Sequence, residues 1–543
     1  MPFLETSLDR WPWRWALGWI VFWSMLCVLT PIEVGFDVAH YHIHDGWSAL
    51  NGRLTRDLAP AGMHSYFNPL GSMITYAMIA ALPAAAVTFL LGAIQAAVLI
   101  PLYLLCRRVL QSIGHDNRVS SLMLALAGYF NYAMLTMTSS VRLDHWVAAP
   151  FVIGLLFLAP KAGVAVTWRR AGLAAFVVGL SAGLKLTSVV YVAGIAAAIL
   201  VAVPGIRARI EAVIAAGIAG LAGILLTGGW WMWKLWITVG NPVFPMGNKL
   251  FHSPYGPIAN YSDVRGLPRS IWDILFFPFN APFRPYNEFG KTWMQDLPIG
   301  LLYAAILMLA VQGFRAWRAG SGREVRLPSR TVLMLMAGAA GTLAVWFPMF
   351  MVGRYAMAIW MVSPLCFAAM LIVAWPAMGE ARRALYWLSC VLVVCVVSAN
   401  VVLTRRVPVK HLWGDYIEVE APASIDFEHA TVIFTGPYPS AFMAAYLPDT
   451  ATFTFSQTPD WAEPAELVLR QMVRQRIDET DGPFVAVILD AGSHDGDDSL
   501  PVIMSRLRDQ LGLVADPGTC ADFRTSLDTA AEHWIACPLT KAG

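Results

Sequence analysis

Apolar positions in this chain come in long blocks, with little of the short alternation of a soluble domain. The blocks lie near 13–31, 84–105, 119–139, 145–160, 171–186, 188–204, 212–237, 298–314, 331–351, 356–375 and 384–403. A helix of roughly 20 apolar residues crosses the ~30 Å hydrocarbon layer, so the pattern predicts about eleven transmembrane helices. The pair 171–186 and 188–204 also reads as one kinked unit. The first block lacks a small-residue cleavage pattern before Pro31, which predicts a retained anchor.

The blocks leave three longer polar stretches, 32–83, 238–297 and 405–543. In the first, Ile43, Trp47, Leu50 and Leu54 recur at helical spacing, which predicts an amphipathic helix on the membrane surface. On that helix Asp37, His40, His44 and Ser48 would form one polar stripe, with His42 pointing elsewhere. The run 66–83, closed by Pro83, predicts a second interfacial helix. The stretch 238–297 mixes Pro, Gly and aromatics and is expected to rest on the outer leaflet, walling a groove. From about residue 405 the pattern shortens. TVIFTG, TATFTF and PFVAVILD alternate with helical segments, and LGLVAD and HWIACPL follow. This predicts a small α/β domain with a largely parallel sheet, and a division into 1–404 and 405–543.

Composition narrows the class. Of 543 residues, 57% are hydrophobic and 14% charged, against about 25% charged in soluble domains. A net charge of +2 predicts no nucleic-acid partner. Five of the seven cysteines (Cys27, Cys106, Cys366, Cys390, Cys395) sit in or beside apolar blocks and read as small hydrophobes. Cys520 and Cys537 lie together in the tail, where an exported domain is expected to pair them as a disulfide.

Short basic connections set the orientation. Arg10 and Arg14, Arg107, Arg108 and Arg118, Lys161, Arg169 and Arg170, Arg207 and Arg209, Arg315 to Arg330, and Arg382 and Arg383 all fall on one side. That side is expected to be cytoplasmic, together with the N-terminus. The three polar stretches and the tail then face outward.

Chemistry-bearing residues gather on the outward side. Asp37 reads either as a helix N-cap or as a general base, and the two are compatible. Asp37, His40 and His44 at i, i+3 and i+7 would suit a metal, but no fourth ligand is visible; a divalent metal is possible and not favoured. Lys185, in GLSAGLKLTSVV, is a lone cation in apolar surroundings that needs a partner, a task or a path to the interface. Arg354, in MVGRYAMA, is a similar case, and Arg142 and Asp144 are close enough in sequence to pair with each other. The acidic loop DAGSHDGDD does not fit a calcium loop, and FTGPYP lacks nucleotide-binding glycines.

The phrases FDVAHYHIHDGWSALNGR, YFNPLGS, GLSAGLKLTS and GNPVFPMGNKLFHSPY, on this architecture, resemble the GT-C superfamily of membrane glycosyltransferases. The resemblance covers roughly residues 13–403. It is to the bacterial members grouped with lipid A aminoarabinose transferase and protein O-mannosyltransferases, within an uncharacterised branch. It implies a polytopic helical membrane fold, residence in the bacterial inner membrane with a periplasmic tail, and a polyprenyl-phosphate-linked sugar donor. The acceptor would be an envelope glycan, lipid or protein, attacked with inversion. By resemblance Asp37 is the base; Asp144 orients the acceptor or a neighbouring cation; Lys185 and Arg354 neutralise the leaving phosphate; His42 touches phosphate or sugar. His40 and His44 are secondary candidates. Family members often carry a second acid directly beside the first, whereas here the neighbours are Glu33 and Asp45. No cofactor is expected. The other classes open to such a chain are a flippase or transporter for a lipid-linked saccharide and a non-catalytic assembly protein. A transporter favours repeated halves and a midplane path, and neither is visible.

Overall fold

The computed structural model describes residues 12–161, 163–259, 261, 267–281, 297–319, 327–375, 389, 393, 406–407, 412–436, 440–456, 468–490, 499–528 and 533–542. Ten of the apolar blocks are helical there, and the block 384–403 lies almost wholly outside the described residues. Five helical stretches are long and apolar enough to cross a membrane: Ala84–Ser112, Ile206–Val239, Leu297–Arg318, Arg330–Met349 and Gly353–Ala374. Shorter apolar helices such as Trp13–Leu29, Asp144–Leu158 and Leu186–Ala202 pack among them. The chain is a polytopic α-helical membrane protein with a small α/β domain at its C-terminal end.

Segments 171–186 and 188–204 form two helices, Trp168–Leu184 and Val189–Ala202, that reverse direction through a 3₁₀ turn at Leu186–Ser188. The first lies along Ile206–Val239 at glycine-to-backbone distance. A Cβ added at Gly179 would overlap the Gly220 carbonyl, and one at Gly223 would overlap the Phe176 carbonyl. Lipid tails offer no hydrophobic drive between helices, so small residues that let backbones approach supply the packing instead. Gly179→Ala meets backbone rather than a movable side chain. It is expected to destabilise the protein by about 1–3 kcal/mol, read as a lowered melting temperature in detergent.

The tail sheet runs Thr452–Phe455, Thr431–Phe434, Phe484–Asp490, His533–Lys541, Leu513–Ala515. Its first three strands are parallel. The long last strand is antiparallel to both neighbours, so the sheet is mixed, not largely parallel. Cys520 and Cys537 are bonded, with sulfurs 2.04 Å apart.

This sheet does not stand apart from the membrane portion. Val38, Tyr41, Ile43 and Trp47 share one core with Phe442, Phe453, Val487 and Trp534. On the sheet's other face, Trp231, Leu235 and Phe244 pack with Ile433, Ile488 and Leu507. Arg53 fastens the two parts. It pairs with Asp57 at 2.8 Å, donates to the Asp449 carbonyl at 2.8 Å, and lies 5.0 Å from the ring centroids of both Trp47 and Phe453. The helix expected on the membrane surface is therefore a buried one: Ile43 to Ser48 are all covered. Ile43 and Trp47 of its apolar stripe pack against the tail, while Leu50 stays exposed.

Candidate functional site

Four helix ends meet beneath this roof. Asp37 follows the first helix, Asp144 opens Asp144–Leu158, Lys185 ends Trp168–Leu184, and Arg354 sits in the turn before Met357–Ala374. Arg354 reaches Asp37 at 2.8 Å through Nη2 and Asp144 at 3.9 Å through Nε. Lys185 Nζ donates to Asp144 at 2.8 Å. Tyr355 lies under both cations, each 5.3 Å from its ring centroid. Arg142 is held by a different acid. It pairs with Glu33 at 3.1 Å, and Glu33 also accepts from Ser140 Oγ and Gly35 N. The loop Ser139–Leu143 turns Arg142 toward the strand Ile32–Glu33 and leaves Asp144 to the helix ends.

These groups border a cavity of about 740 Å³, lined on one side by Asp37, His40, Tyr41, His42, Lys185 and Arg354. Opposite stand Trp231 and Leu235 of Ile206–Val239 and the loop Pro242–Met246. The outer face of that helix is apolar and exposed at Ile218, Leu226, Trp233 and Ile237. Leu250, Ile258, Trp272 and Phe279 are exposed nearby. A lipid chain alongside the outer face of that helix would meet a largely apolar surface.

The expected polar stripe is corrected by one local feature. Val38–His42 forms a π-helical turn, wider than an α-turn. The extra residue brings Asp37 and His42, five apart, to the same side. His42 lines the cavity and His44 does not; His44 instead bonds Asp45 at 2.9 Å. Ser48 is buried away from the cavity lining. Asp37 makes no cap hydrogen bond, which leaves the ion pair as its role. Asp144 is buried behind the lining, so it holds the two cations and is not itself a wall of the cavity. Among the described residues, no group of three His, Cys, Asp or Glu is arranged to hold a metal ion.

Charge tunes these groups apart. Burial would raise the Asp37 carboxyl, but Arg354, Arg142, His42 and Lys185 together hold it below the usual carboxylate range. His42 is pushed down to about 3 by burial and by Lys185, and His40 is lowered by burial and His64; both are neutral near pH 7. Asp45 is raised to about 6, because burial outweighs its bond from His44. Its ordinary value is 3.8, so the folded state holds this proton more tightly than the unfolded one. The stability it contributes is complete below about pH 4 and is lost as pH rises through about 6. Asp45→Asn is expected to flatten the decline in melting temperature between pH 4 and 6, an effect of order 3 kcal/mol.

No family model matches the chain, and no curated protein sequence matches it. Among solved structures, it is similar to the archaeal oligosaccharyltransferase AglB of Archaeoglobus fulgidus in complex with an inhibitory peptide and a dolichol-phosphate. That likeness has 13% identity and a TM-score of 0.40, covering 82% of this chain and 65% of the other. The Archaeoglobus fulgidus oligosaccharyltransferase tethered to an acceptor peptide gives 12% identity and a TM-score of 0.46. Its apo form gives 12% and 0.44. Both of these likenesses cover 95% of this chain and 70% of the other. The chain thus spans about two thirds of the length of these structures.

Sequence reasoning missed part of the lining. Tyr41, His64, Phe67, Tyr261 and Tyr355 all face the cavity. Tyr355 adjoins Arg354, a signal within reach. His64 is a lone histidine inside the short 3₁₀ helix Gly62–Tyr66, and nothing in its spacing ties it to His40.

Proposed function

We propose that the protein is a membrane glycosyltransferase that takes a sugar from a polyprenyl-phosphate-linked donor at the outer end of its helix bundle. The carrying observation is the triad of Asp37, Arg354 and Lys185 at the rim of a cavity whose far wall is a lipid-facing helix. The resemblance to GT-C enzymes in the quoted motifs supports the same reading. Sidedness adds to it: sugar nucleotides are cytoplasmic, and the basic connections lie at the opposite end of the helices from the cavity.

The acceptor hydroxyl oxygen attacks the anomeric carbon as the bond from that carbon to the phosphate oxygen breaks. The hydroxyl proton passes to Asp37, and the polyprenyl phosphate leaves as an anion held by Arg354 and Lys185. Asp37 alone is a weak base while Arg354 holds it ionised. A donor phosphate competing for the same guanidinium loosens that pair and raises the carboxylate's proton affinity when it is needed. Backside attack inverts the anomeric centre. The acceptor is an envelope glycan, lipid or protein, and the membrane is the bacterial inner membrane with the tail in the periplasm.

The test uses purified protein in nanodiscs, supplied with polyprenyl-phosphate-linked sugars and an envelope extract as acceptor. Release of polyprenyl phosphate coupled to a glycosylated product is expected; donor consumption no faster than in protein-free discs would remove the proposal.

A further inference from the structure

Away from the charged rim, the cavity ends in a cluster of rings. His64 lies 4.9 Å from His40, 5.1 Å from Tyr41 in a stacked pair, and 5.0 Å from Phe67, centroid to centroid. The Tyr261 hydroxyl and His64 Nε2 are 3.3 Å apart. Phe36 closes the side at 4.9 Å from His40. All six rings line the cavity, and His40 and Tyr41 are 5% exposed.

The polar atoms of this cluster are few and point to a ligand. Among the described residues, neither ring nitrogen of His40 finds a well-formed hydrogen bond, nor does Nε2 of His42. The Ala61 carbonyl acts on His40 only as its smallest influence. His42 Nδ1 is engaged by Ser72 Oγ at 3.1 Å, so the ring is held with Nε2 left over. Buried polar groups in native proteins normally find partners. Here the open side is the cavity, and the hydroxyls of a ligand there would complete them.

Among the described lining, the charged side chains are Asp37, Asp45, Lys185 and Arg354. The Asp45 carboxylate is turned to His44, and the other three make the phosphate end. Among the described residues, the ring cluster itself contains no acid, lysine or arginine, and the nearest charge, Asp37, is already paired with Arg354. Apolar ring faces with a few fixed hydrogen-bonding atoms suit a pyranose, whose C–H face is apolar and whose rim is hydroxyl. Drug-sized ligands fill cavities of about 300–1,000 Å³. A volume of about 740 Å³ leaves room for a sugar ring beside the donor phosphate and the acceptor hydroxyl.

We propose that His40, Tyr41, His64, Phe67 and Tyr261 form the seat for an uncharged sugar ring on the donor. This rests on the glycosyltransferase reading and specifies its substrate: a neutral hexose or pentose, not an amino sugar or a uronic acid.

Binding to the purified full-length protein in nanodiscs decides it, with four probes: polyprenyl phosphate alone, and polyprenyl phosphate bearing a neutral hexose, an amino sugar or a hexuronic acid. The neutral hexosyl lipid is expected to bind at least tenfold tighter than the other three. His64→Leu is expected to erase that gain while leaving polyprenyl phosphate binding unchanged, and His64→Gln to keep most of it. Equal affinity for the hexosyl lipid and polyprenyl phosphate would overturn the seat but leave the donor reading standing. Preference for a charged sugar, or a His64→Leu loss equal for both lipids, would also overturn the seat. Failure of every polyprenyl lipid to bind would overturn both.

Discussion

Replacing Arg354 by alanine is expected to lower sugar transfer by at least three orders of magnitude. Arg354 contacts two acids, Asp37 at 2.8 Å and Asp144 at 3.9 Å, and in the proposed reaction it also receives the charge of the departing phosphate. Losing one such electrostatic donor in a water-poor site costs about 10²–10³ in rate. The substitution also leaves Asp37 and Asp144 with less compensating charge. Breaking a buried pair from one side costs about 3–5 kcal/mol of stability, because the remaining charge stays buried. The two effects separate by design. Arg354→Ala combined with Asp37→Asn is expected to recover much of the lost melting temperature and none of the activity. Arg354→Lys keeps the charge but loses the planar fork that reaches two acids at once, and is expected to fall about 10–100-fold. Transfer by Arg354→Ala within tenfold of wild type, at equal folded protein, would remove Arg354 from the reaction.

Asp37→Asn is expected to cut transfer by about 10²–10⁴, the range a positioned base supplies. It keeps the shape of the side chain and removes its proton-accepting capacity. Donor binding is expected to hold or tighten, since Arg354 is then free of its nearest acid, so the loss appears in kcat. The pH profile carries a second signature. Asp37 is held ionised and His42 neutral down to about pH 3, so neither introduces a limb between pH 5 and 8. A limb near pH 6 that survives Asp37→Asn belongs to Asp45. An unchanged kcat in Asp37→Asn would assign the base elsewhere, with Asp45 the next carboxylate on the cavity wall.

Much of the architecture was legible because membrane physics reads directly from composition along the chain. Runs of apolar residues must form helices in lipid, where every backbone group needs an internal partner. The gathering of Asp37, Asp144, Lys185 and Arg354 at one end followed from counting spans, since each falls at a span end on the same side. Partner choice did not follow. Arg142 and Asp144 are two positions apart and looked like a pair, yet Arg142 turns to Glu33 and Asp144 to Lys185. The stripe on the first outer helix failed for a related reason. A 3.6-residue period put His44 beside Asp37, and the π-turn at Val38–His42 put His42 there.

By itself, the sequence determined the helical state of the apolar blocks that the structure describes and the end of the helices at which the charges gather. Those outcomes depend on the transfer free energy of local stretches, which is set by the residues within them. Tertiary structure decided which charges touch, that Asp144 stands behind the cavity while Asp37 faces it, and that the helix Ile43–Leu50 is covered by the tail instead of lying on lipid. It also brought His64 and Tyr261 against His40 and Tyr41. Such contacts join residues far apart in the chain, and their geometry comes from packing of whole elements, which no local pattern records.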